Sequence, residues 1–258
     1  MIAIFVISIA FAVSGEIIKE MISAHGGMEK WRSAPTVSFE DHFLQAGAQK
    51  PTVSQVTVEQ GRRRAYLDFP ELKARIAWDG KRAWSENWQA PVPPRFMALL
   101  NYYFLNLPWL ATDSGVNLNE PGKGKLWDDP TEYITVKMTF DAGIGDTPDD
   151  YYVLYIEPKT RRLKACEYIV TYASMLPPGA KATPPHILVY ESFATVEGLI
   201  VPTRYSIFEK NHKLLATCEI RNWSFKKPFD SARMTVPPGA IMDKSTPIQG
   251  PSKKSGKF

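Results

Sequence analysis

Residues 186–225 read HILVYESFATVEGLIVPTRYSIFEKNHKLLATCEIRNWSF, and this stretch decides the predicted fold. Three segments within it, 186–194, 199–209 and 213–225, are predicted strands, and Glu197-Gly198 and Asn211-His212 are predicted turns between them. Short strands that follow one another at this spacing are typical of an antiparallel meander. The fold class expected from this stretch is mainly β.

Alternation of apolar and polar residues extends the sheet towards the N-terminus. The alternation is clearest in 71–79, and Asp79-Gly80 after it is a tight hairpin signal. The predicted return strand is 82–88. The other predicted strands are 36–43, 132–141, 151–157 and 163–172. Because the chain has no internal repeat or linker, all these strands are expected in one sheet and one domain, residues 16–244.

The stretch 95–107 interrupts the strands and is predicted to be a helix, since it is long, apolar and rich in Leu. Its residues at spacings of three and four form a stripe that should face the sheet. This helix either fills the concave side of the sheet as ordinary core or lines a cavity there. If it lines a cavity, the opposite wall would include Trp78 and Trp84, although the turn register could place those two on different faces. The predicted hydrophobic ligand-binding residues are Trp78, Trp84, Phe96, Leu99, Leu100, Tyr103 and Phe104.

The two ends of the chain differ from the domain between them. Residues 2–13 are an uninterrupted apolar run, too short to span a bilayer as a helix. The run resembles the core of a secretory signal peptide, predicted at 1–15, although no Lys or Arg precedes it. A buried N-terminal strand or helix is the alternative. A short helix, 16–23, should end at His25-Gly26-Gly27, and the tail 245–258 is predicted to be disordered.

Composition and charge fit a globular domain rather than a nucleic-acid-binding protein. The 258 residues are 44% hydrophobic and 22% charged, with a net charge of +4. The densest basic cluster, 62–64, is expected on a strand, where charges discourage edge-to-edge pairing. Cys166 and Cys218 could form a disulfide in an oxidising compartment or remain buried thiols, and the sequence leaves both possibilities open.

No catalytic or metal-binding pattern is found in the sequence. None of the four histidines lies at metal-ligand spacing from another His or Cys, and the chain has no serine elbow and no phosphate loop. His25, beside two glycines, is interpreted as a structural residue at a helix end. The acidic cluster 141–150 does not match a calcium-binding loop and is expected at a hairpin tip. We therefore expect no enzymatic activity, no cofactor and no metal.

Several short motifs in a fixed order resemble the LolA/LolB-like lipoprotein-carrier superfamily, and in particular secreted bacterial members whose first helix ends in His-Gly-Gly. The motifs are AHGGMEKW (24–31), WDGK (78–81), YIEPKT (155–160), GLIVP (198–202) and VPPGA (236–240). The resemblance implies an open antiparallel half-barrel, helices that cover its concave face, and an apolar cavity that accepts acyl chains.

Three functions remain open at this point. The first is a periplasmic or secreted, non-enzymatic protein that binds a lipid, a lipoprotein acyl chain or another amphiphile, with no transmembrane span in the mature chain. The second is a structural or partner-binding protein of the cell envelope, which would expose an apolar patch instead of a pocket. The third is an enzyme that uses the same cavity, with His25, His42 or a strand carboxylate as base.

Overall fold

The computed structural model describes residues 2–245, and their side chains from residue 13 onward. Its helices are α1 (Ile2–Ala24), α2 (Met28–Ser33), α3 (Pro94–Leu105) and α4 (Leu107–Leu110). Its first strands are β1 (Thr36–Gln45), β2 (Thr52–Glu59), β3 (Ala65–Phe69), β4 (Ala74–Trp78) and β5 (Ala83–Glu86). The others are β6 (Val116–Leu118), β7 (Gly122–Gly124), β8 (Tyr133–Phe140), β9 (Tyr152–Ile156), β10 (Leu163–Tyr168), β11 (His186–Val196), β12 (Leu199–Glu209), β13 (Leu214–Ser224) and β14 (Ile241–Met242).

All the strands described between residues 2 and 245 belong to one antiparallel sheet. Their order is β14-β5-β4-β3-β2-β1-β13-β12-β11-β10-β9-β8-β6, and β7 also pairs with β8. The pairing of β1 with β13, in which Glu40 lies opposite Arg221, joins the strands before α3 to those after it. The sheet does not close into a barrel, because its path ends at β6 and at β14. The predicted mainly β, open half-barrel is confirmed.

The C-terminal meander forms as its turn residues predict. Glu197 and Gly198, at φ 52° and 80°, make the turn between β11 and β12, and His212 at φ 71° lies in the turn before β13. These left-handed conformations allow tight antiparallel connections. β11 and β12 then pair along most of their eleven residues.

The helices contribute to a single large core on the concave side of the sheet. Ile18 and Met21 of α1 are fully buried there with Leu107 and Leu110 of α4. Trp31 of α2 stacks on Trp109 of α4 at 5.8 Å between ring centroids. In the described part of the chain, no helix has both the length and the apolar character needed to cross a membrane.

The N-terminal helix is longer than the sequence predicts. Instead of a helix confined to 16–23, α1 runs without a break from Ile2 to Ala24. Its end is as predicted, because Gly26 and Gly27 adopt positive φ angles of 101° and 92° directly after it.

The signal peptide predicted at 1–15 stays a prediction. Of the tail predicted to be disordered, 246–258 lie outside the described residues.

Three local predictions are wrong. The alternation in 71–79 begins with a 3₁₀ turn, Pro70–Leu72, because proline fixes the turn angle, and Leu72 is therefore 52% exposed. Residues 62–64 form the turn between β2 and β3, not a strand, with Arg63 at φ 50°. Residues 113–130, where no strand is predicted, contain β6 and β7. Gly124 has no side chain that would indicate a strand. It lies so close to β8 that an added Cβ would be 2.8 Å from the Thr135 side chain.

Candidate ligand-binding cavity

The helix α3 begins at two prolines and crosses the sheet. Pro93 caps it and Pro94 occupies its first turn, where a missing backbone N–H costs nothing. The helix packs on β2, β3, β4 and β5. It ends at Asn106, and α4 follows at once, so the helix predicted at 95–107 is present as two consecutive segments.

Polar contacts fix one side of α3 to the rest of the fold. Asn101 donates a hydrogen bond to the Asp41 carboxyl group of β1, and the Tyr102 hydroxyl donates to Gln60 Oε1 at 2.6 Å. The Tyr190 hydroxyl donates to the Phe104 carbonyl at 2.5 Å. Asp41 is 1% exposed and its Oδ1 atom has no hydrogen-bond partner in the described chain. Burial raises the pKa of Asp41 to about 7.

The other side of α3 borders a cavity of about 710 Å³, which is open to solvent. This volume lies within the range of small-molecule sites, roughly 300–1,000 Å³. Its lining is mainly aromatic and aliphatic: Trp78, Phe96, Leu99, Leu100, Tyr103, Phe104, Val116, Phe140, Ile144, Tyr152, Val170 and Tyr172. Leu99, Leu100 and Tyr103 are only half-buried, so α3 carries apolar surface that the core does not cover.

Six of the seven residues predicted for the site line this cavity: Trp78, Phe96, Leu99, Leu100, Tyr103 and Phe104. Trp84 does not, because it lies opposite Ala77 in the β4–β5 hairpin whereas Trp78 lies opposite Ala83. Neighbouring positions on a strand point to opposite faces. Trp84 therefore packs on the convex face, with Tyr66 and the C-terminal residues around Phe229. A role of the other six in ligand binding stays a prediction.

Aromatic rings from the strands form much of the wall opposite α3. Tyr152 of β9 lies 5.5 Å from the Tyr103 ring and 5.7 Å from the Phe140 ring. Tyr172 lies 5.1 Å from Phe96. The hydroxyl oxygen of Tyr103 is buried and has no hydrogen-bond partner among the described residues. The site therefore combines a broad apolar wall with one unsatisfied polar atom.

The residues of this opposite wall are not predicted from the sequence. Phe140 lies in a predicted strand with the correct alternation, and Tyr152 is the second residue of the next predicted strand, 151–157. The available signal was therefore the shared apolar face of two neighbouring strands. Nothing in the local sequence places that face against α3, since the contact joins segments about 40 residues apart and depends on the twist of the whole sheet.

Ion pairs and polar residues surround the apolar wall. Arg63 donates to Asp113 at 2.5 Å, and Arg95 makes two bonds to Asp146 at 2.6 and 2.7 Å. The Arg95 guanidinium also lies 4.8 Å from the centre of the Trp78 ring. Arg62, which is exposed, lines the same cavity. The rim thus combines paired charges with one arginine that has no ion pair in the described chain.

The loop between β8 and β9 closes part of the cavity. Ile144, Asp146, Thr147 and Asp150 all line it. The Asp150 carboxylate accepts hydrogen bonds from the backbone N–H and hydroxyl of Thr171 at 2.7 Å and from the Thr147 hydroxyl at 2.7 Å. Burial raises the pKa of Asp150. This carboxylate anchors the loop that was expected at a hairpin tip.

His25 lies outside the cavity and links three parts of the fold. Its Nδ1 donates to the Ile200 carbonyl at 2.8 Å, and its Nε2 accepts from the Leu163 backbone N–H at 3.1 Å. Trp109 and Phe193 flank the ring. Burial lowers the pKa of His25 to about 4, so the ring is neutral near pH 7. This geometry agrees with the structural role expected for His25.

The remaining candidate residues are also outside the cavity. His42 pairs with Glu40 at 2.6 Å on β1. Cys166 and Cys218 are both buried, free thiols. Within residues 2–245, no three His, Cys, Asp or Glu side chains come together in a way that could hold a metal ion.

Comparison with known proteins agrees with this architecture. Residues 95–175, which include α3 and the β8–β9 loop, match the model of a family of unknown function (DUF6503). No curated protein matches the chain. Among solved structures, a LolA superfamily protein from Nitrosomonas europaea aligns with a TM-score of 0.52 at 11% identity, over 81% of this chain and 96% of that chain. A DUF1329 family protein from Desulfovibrio piger aligns with a TM-score of 0.55 at 9% identity, over 86% and 97%.

The fold and the cavity together define an open antiparallel half-barrel with an apolar site under a helix. This half-barrel is similar to the fold of the LolA superfamily protein from Nitrosomonas europaea. At 11% identity the similarity concerns the fold alone.

Proposed function

We propose that this protein binds a hydrophobic ligand, a lipid or a lipoprotein acyl chain, in the cavity between α3 and the sheet, and that it acts without catalysis. The observation that carries the proposal is the cavity of about 710 Å³ lined by half-buried apolar residues of α3. Soluble proteins leave few such surfaces uncovered unless a ligand or partner occupies them.

Burial of an acyl chain would supply the binding free energy. Each methylene group removed from water contributes about 0.8 kcal/mol. Leu99 and Leu100 on one side and Tyr152 and Phe140 on the other would contact the chain. The aromatic rings provide large apolar contact at little cost in side-chain entropy, because they have few rotatable bonds.

The polar groups of the cavity support binding rather than catalysis. Two of its carboxylates, Asp113 and Asp146, are paired with arginines, and Asp150 accepts bonds from two threonines. A general base needs a carboxylate or imidazole free to take a proton from a substrate. The candidate bases His25 and His42 do not line the cavity.

The proposed location is the periplasm or the exterior of the cell. The apolar run 2–13, read as a signal peptide, is the support for it. N-terminal sequencing of protein from its native host should then begin near Gly15 or Glu16. An intact Met1 on protein recovered from the cytoplasm would contradict this location.

Native mass spectrometry of gently purified protein tests the binding function directly. We expect an added mass that corresponds to a lipid, and a smaller fraction of lipid-bound protein in the variant Leu100→Trp, whose larger ring would narrow the cavity. Leu72→Trp is the matched control, since Leu72 is exposed and does not line the cavity. Copurification of a protein in place of a lipid would instead favour a partner-binding role in the cell envelope.

A further inference from the structure

The turn between β2 and β3 places two arginines at the cavity. Arg62 and Arg63 both line it, whereas the next residue, Arg64, is bound to Glu59 by two hydrogen bonds and lies over Phe229. The turn is held against α3, since Gln60 accepts the hydrogen bond from the Tyr102 hydroxyl. Its position relative to the cavity is therefore defined by the fold.

The other charged groups around the cavity already have hydrogen-bond partners. Arg95 uses Nε and Nη2 for Asp146 and directs Nη1 to the Lys81 carbonyl at 3.4 Å. Asp150 is satisfied by Thr147 and Thr171. These groups have little capacity left for a charged ligand.

Arg62 and Arg63 retain that capacity. Arg62 is exposed and forms no ion pair or hydrogen bond within the described chain. Arg63 gives Nη2 to Asp113 and also interacts with the Tyr102 hydroxyl, so it has fewer donors left for another acceptor than Arg62 has. A guanidinium group offers paired donors that match the oxygens of a carboxylate or a phosphate.

The Tyr103 hydroxyl adds a third donor to the same region. Tyr103, Arg63 and Asp113 line the same cavity, and the charges of Arg63 and Asp113 both act on the Tyr103 hydroxyl. It is buried and lacks a partner in the part of the chain that the structure describes. A buried hydroxyl without a partner is costly, and a ligand oxygen would satisfy it.

We propose that Arg62, Arg63 and Tyr103 form a head-group site for an anionic amphiphile, in which a carboxylate or phosphate caps an acyl chain that occupies the apolar cavity. This inference rests on the proposed function and specifies its ligand class. Neutral amphiphiles of the same chain length would fill the same cavity without using these three donors.

Three ligands with the same 18-carbon chain test the head group. Binding of oleate, oleyl phosphate and oleyl alcohol to the full chain is measured by calorimetry, below the micelle concentration of the two anions and below the solubility limit of the alcohol. We expect both anions to bind about tenfold or more tightly than the alcohol, since hydrogen bonds to charged groups contribute more than neutral ones. The advantage should shrink as salt concentration rises.

The variant Arg62→Gln tests the residue whose loss is least able to disturb the fold. We expect it to weaken oleate binding about fivefold to tenfold, the range for loss of one charge-assisted contact, and to leave oleyl alcohol binding unchanged. Arg32→Gln is the matched control, because Arg32 is also exposed, has no ion pair in the described chain and does not line the cavity. Tyr103→Phe should weaken both anions by a smaller factor.

The outcomes separate this inference from the proposed function. Equal affinity for oleate and oleyl alcohol, with no effect of Arg62→Gln, would overturn the head-group site and leave the apolar site standing. Absence of binding by all three ligands would overturn both. Inorganic phosphate that competes with oleyl phosphate at similar affinity would show a free-anion site and also reject the inference.

Discussion

The two sides of α3 have the same helical backbone but different surroundings. Ala98, Asn101 and Leu105 are buried against the sheet and neighbouring helices. Leu99, Leu100 and Tyr103, one or two positions away, are half-buried beside an open cavity. Side chains of similar chemistry thus serve packing on one side and remain accessible on the other, and stability and ligand binding should respond to different substitutions.

Truncation of one leucine on each side should give the largest contrast. We expect Leu105→Ala to lower the free energy of unfolding by about 2–5 kcal/mol, because it leaves a void in the core. Leu100→Ala should cost less than about 1 kcal/mol, since its side chain already borders open space. Urea unfolding of both variants measures the difference. A loss at Leu100 equal to that at Leu105 would show that the cavity wall is ordinary core.

The buried carboxyl group on the packed side should make stability depend on pH. The pKa of Asp41 is raised to about 7, so the folded state retains this proton more strongly than the unfolded state. The protonated Asp41 carboxyl group contributes its full stabilisation to the free energy of unfolding below about pH 4. This contribution is lost as pH rises towards 7. The shift corresponds to about 4 kcal/mol. Asp41→Asn should remove this dependence, so its stability relative to the parent should rise between pH 4 and pH 8.

His25 should give the opposite slope in nearly the same range. Its pKa is lowered to about 4, so the unfolded state binds the proton more strongly. The neutral His25 ring contributes about 3 kcal/mol to the free energy of unfolding, and this contribution is complete above about pH 6.5. It is lost as pH falls towards 4. In the background of Asp41→Asn, His25→Gln should therefore flatten the unfolding free energy between pH 4 and 6.5. A slope that survives both substitutions would place the responsible group elsewhere.

The ion pair at the cavity rim should have the smallest effect on stability. Arg95 and Asp146 are partly exposed, and such pairs contribute about 1 kcal/mol or less. We expect Arg95→Gln to leave the unfolding midpoint nearly unchanged while it accelerates ligand exchange, because the pair ties α3 to the β8–β9 loop. Stopped-flow release of a bound fluorescent fatty acid measures that rate. Unchanged release would indicate that the loop does not control access.

Local patterns predicted the elements of the fold better than their assembly. The meander 186–225 and the helix at 95–107 follow from periodicity and turn residues, and both are present. The failures have local causes as well: Pro70 starts a turn within an alternating segment, and Gly124 pairs through its backbone without any side-chain signal. The pairing of β4 with β5 reverses the face of Trp84 relative to Trp78.

The candidate site could be predicted from one side only. The stripe on α3 is readable because its residues are close in sequence. Tyr152, Val170 and Arg62 approach it from β9, from the segment after β10 and from a turn, and these contacts depend on the curvature of the complete sheet. The Asp41–Asn101 contact was equally hidden, since a strand carboxylate carries no sign that it will be covered by a helix amide.

The ends of the sheet have a consequence for self-association. The path of strands finishes at β6 with three residues and at β14 with two. Each outer strand therefore presents too short a row of backbone donors and acceptors to template the addition of another chain. A closed barrel has no free strand edges, whereas an open half-barrel has two. In this protein the shortness of β6 and β14 limits strand addition at those edges. A mutation that lengthened either outer strand would be expected to promote fibrous or dimeric assembly through strand addition, without any change at the cavity.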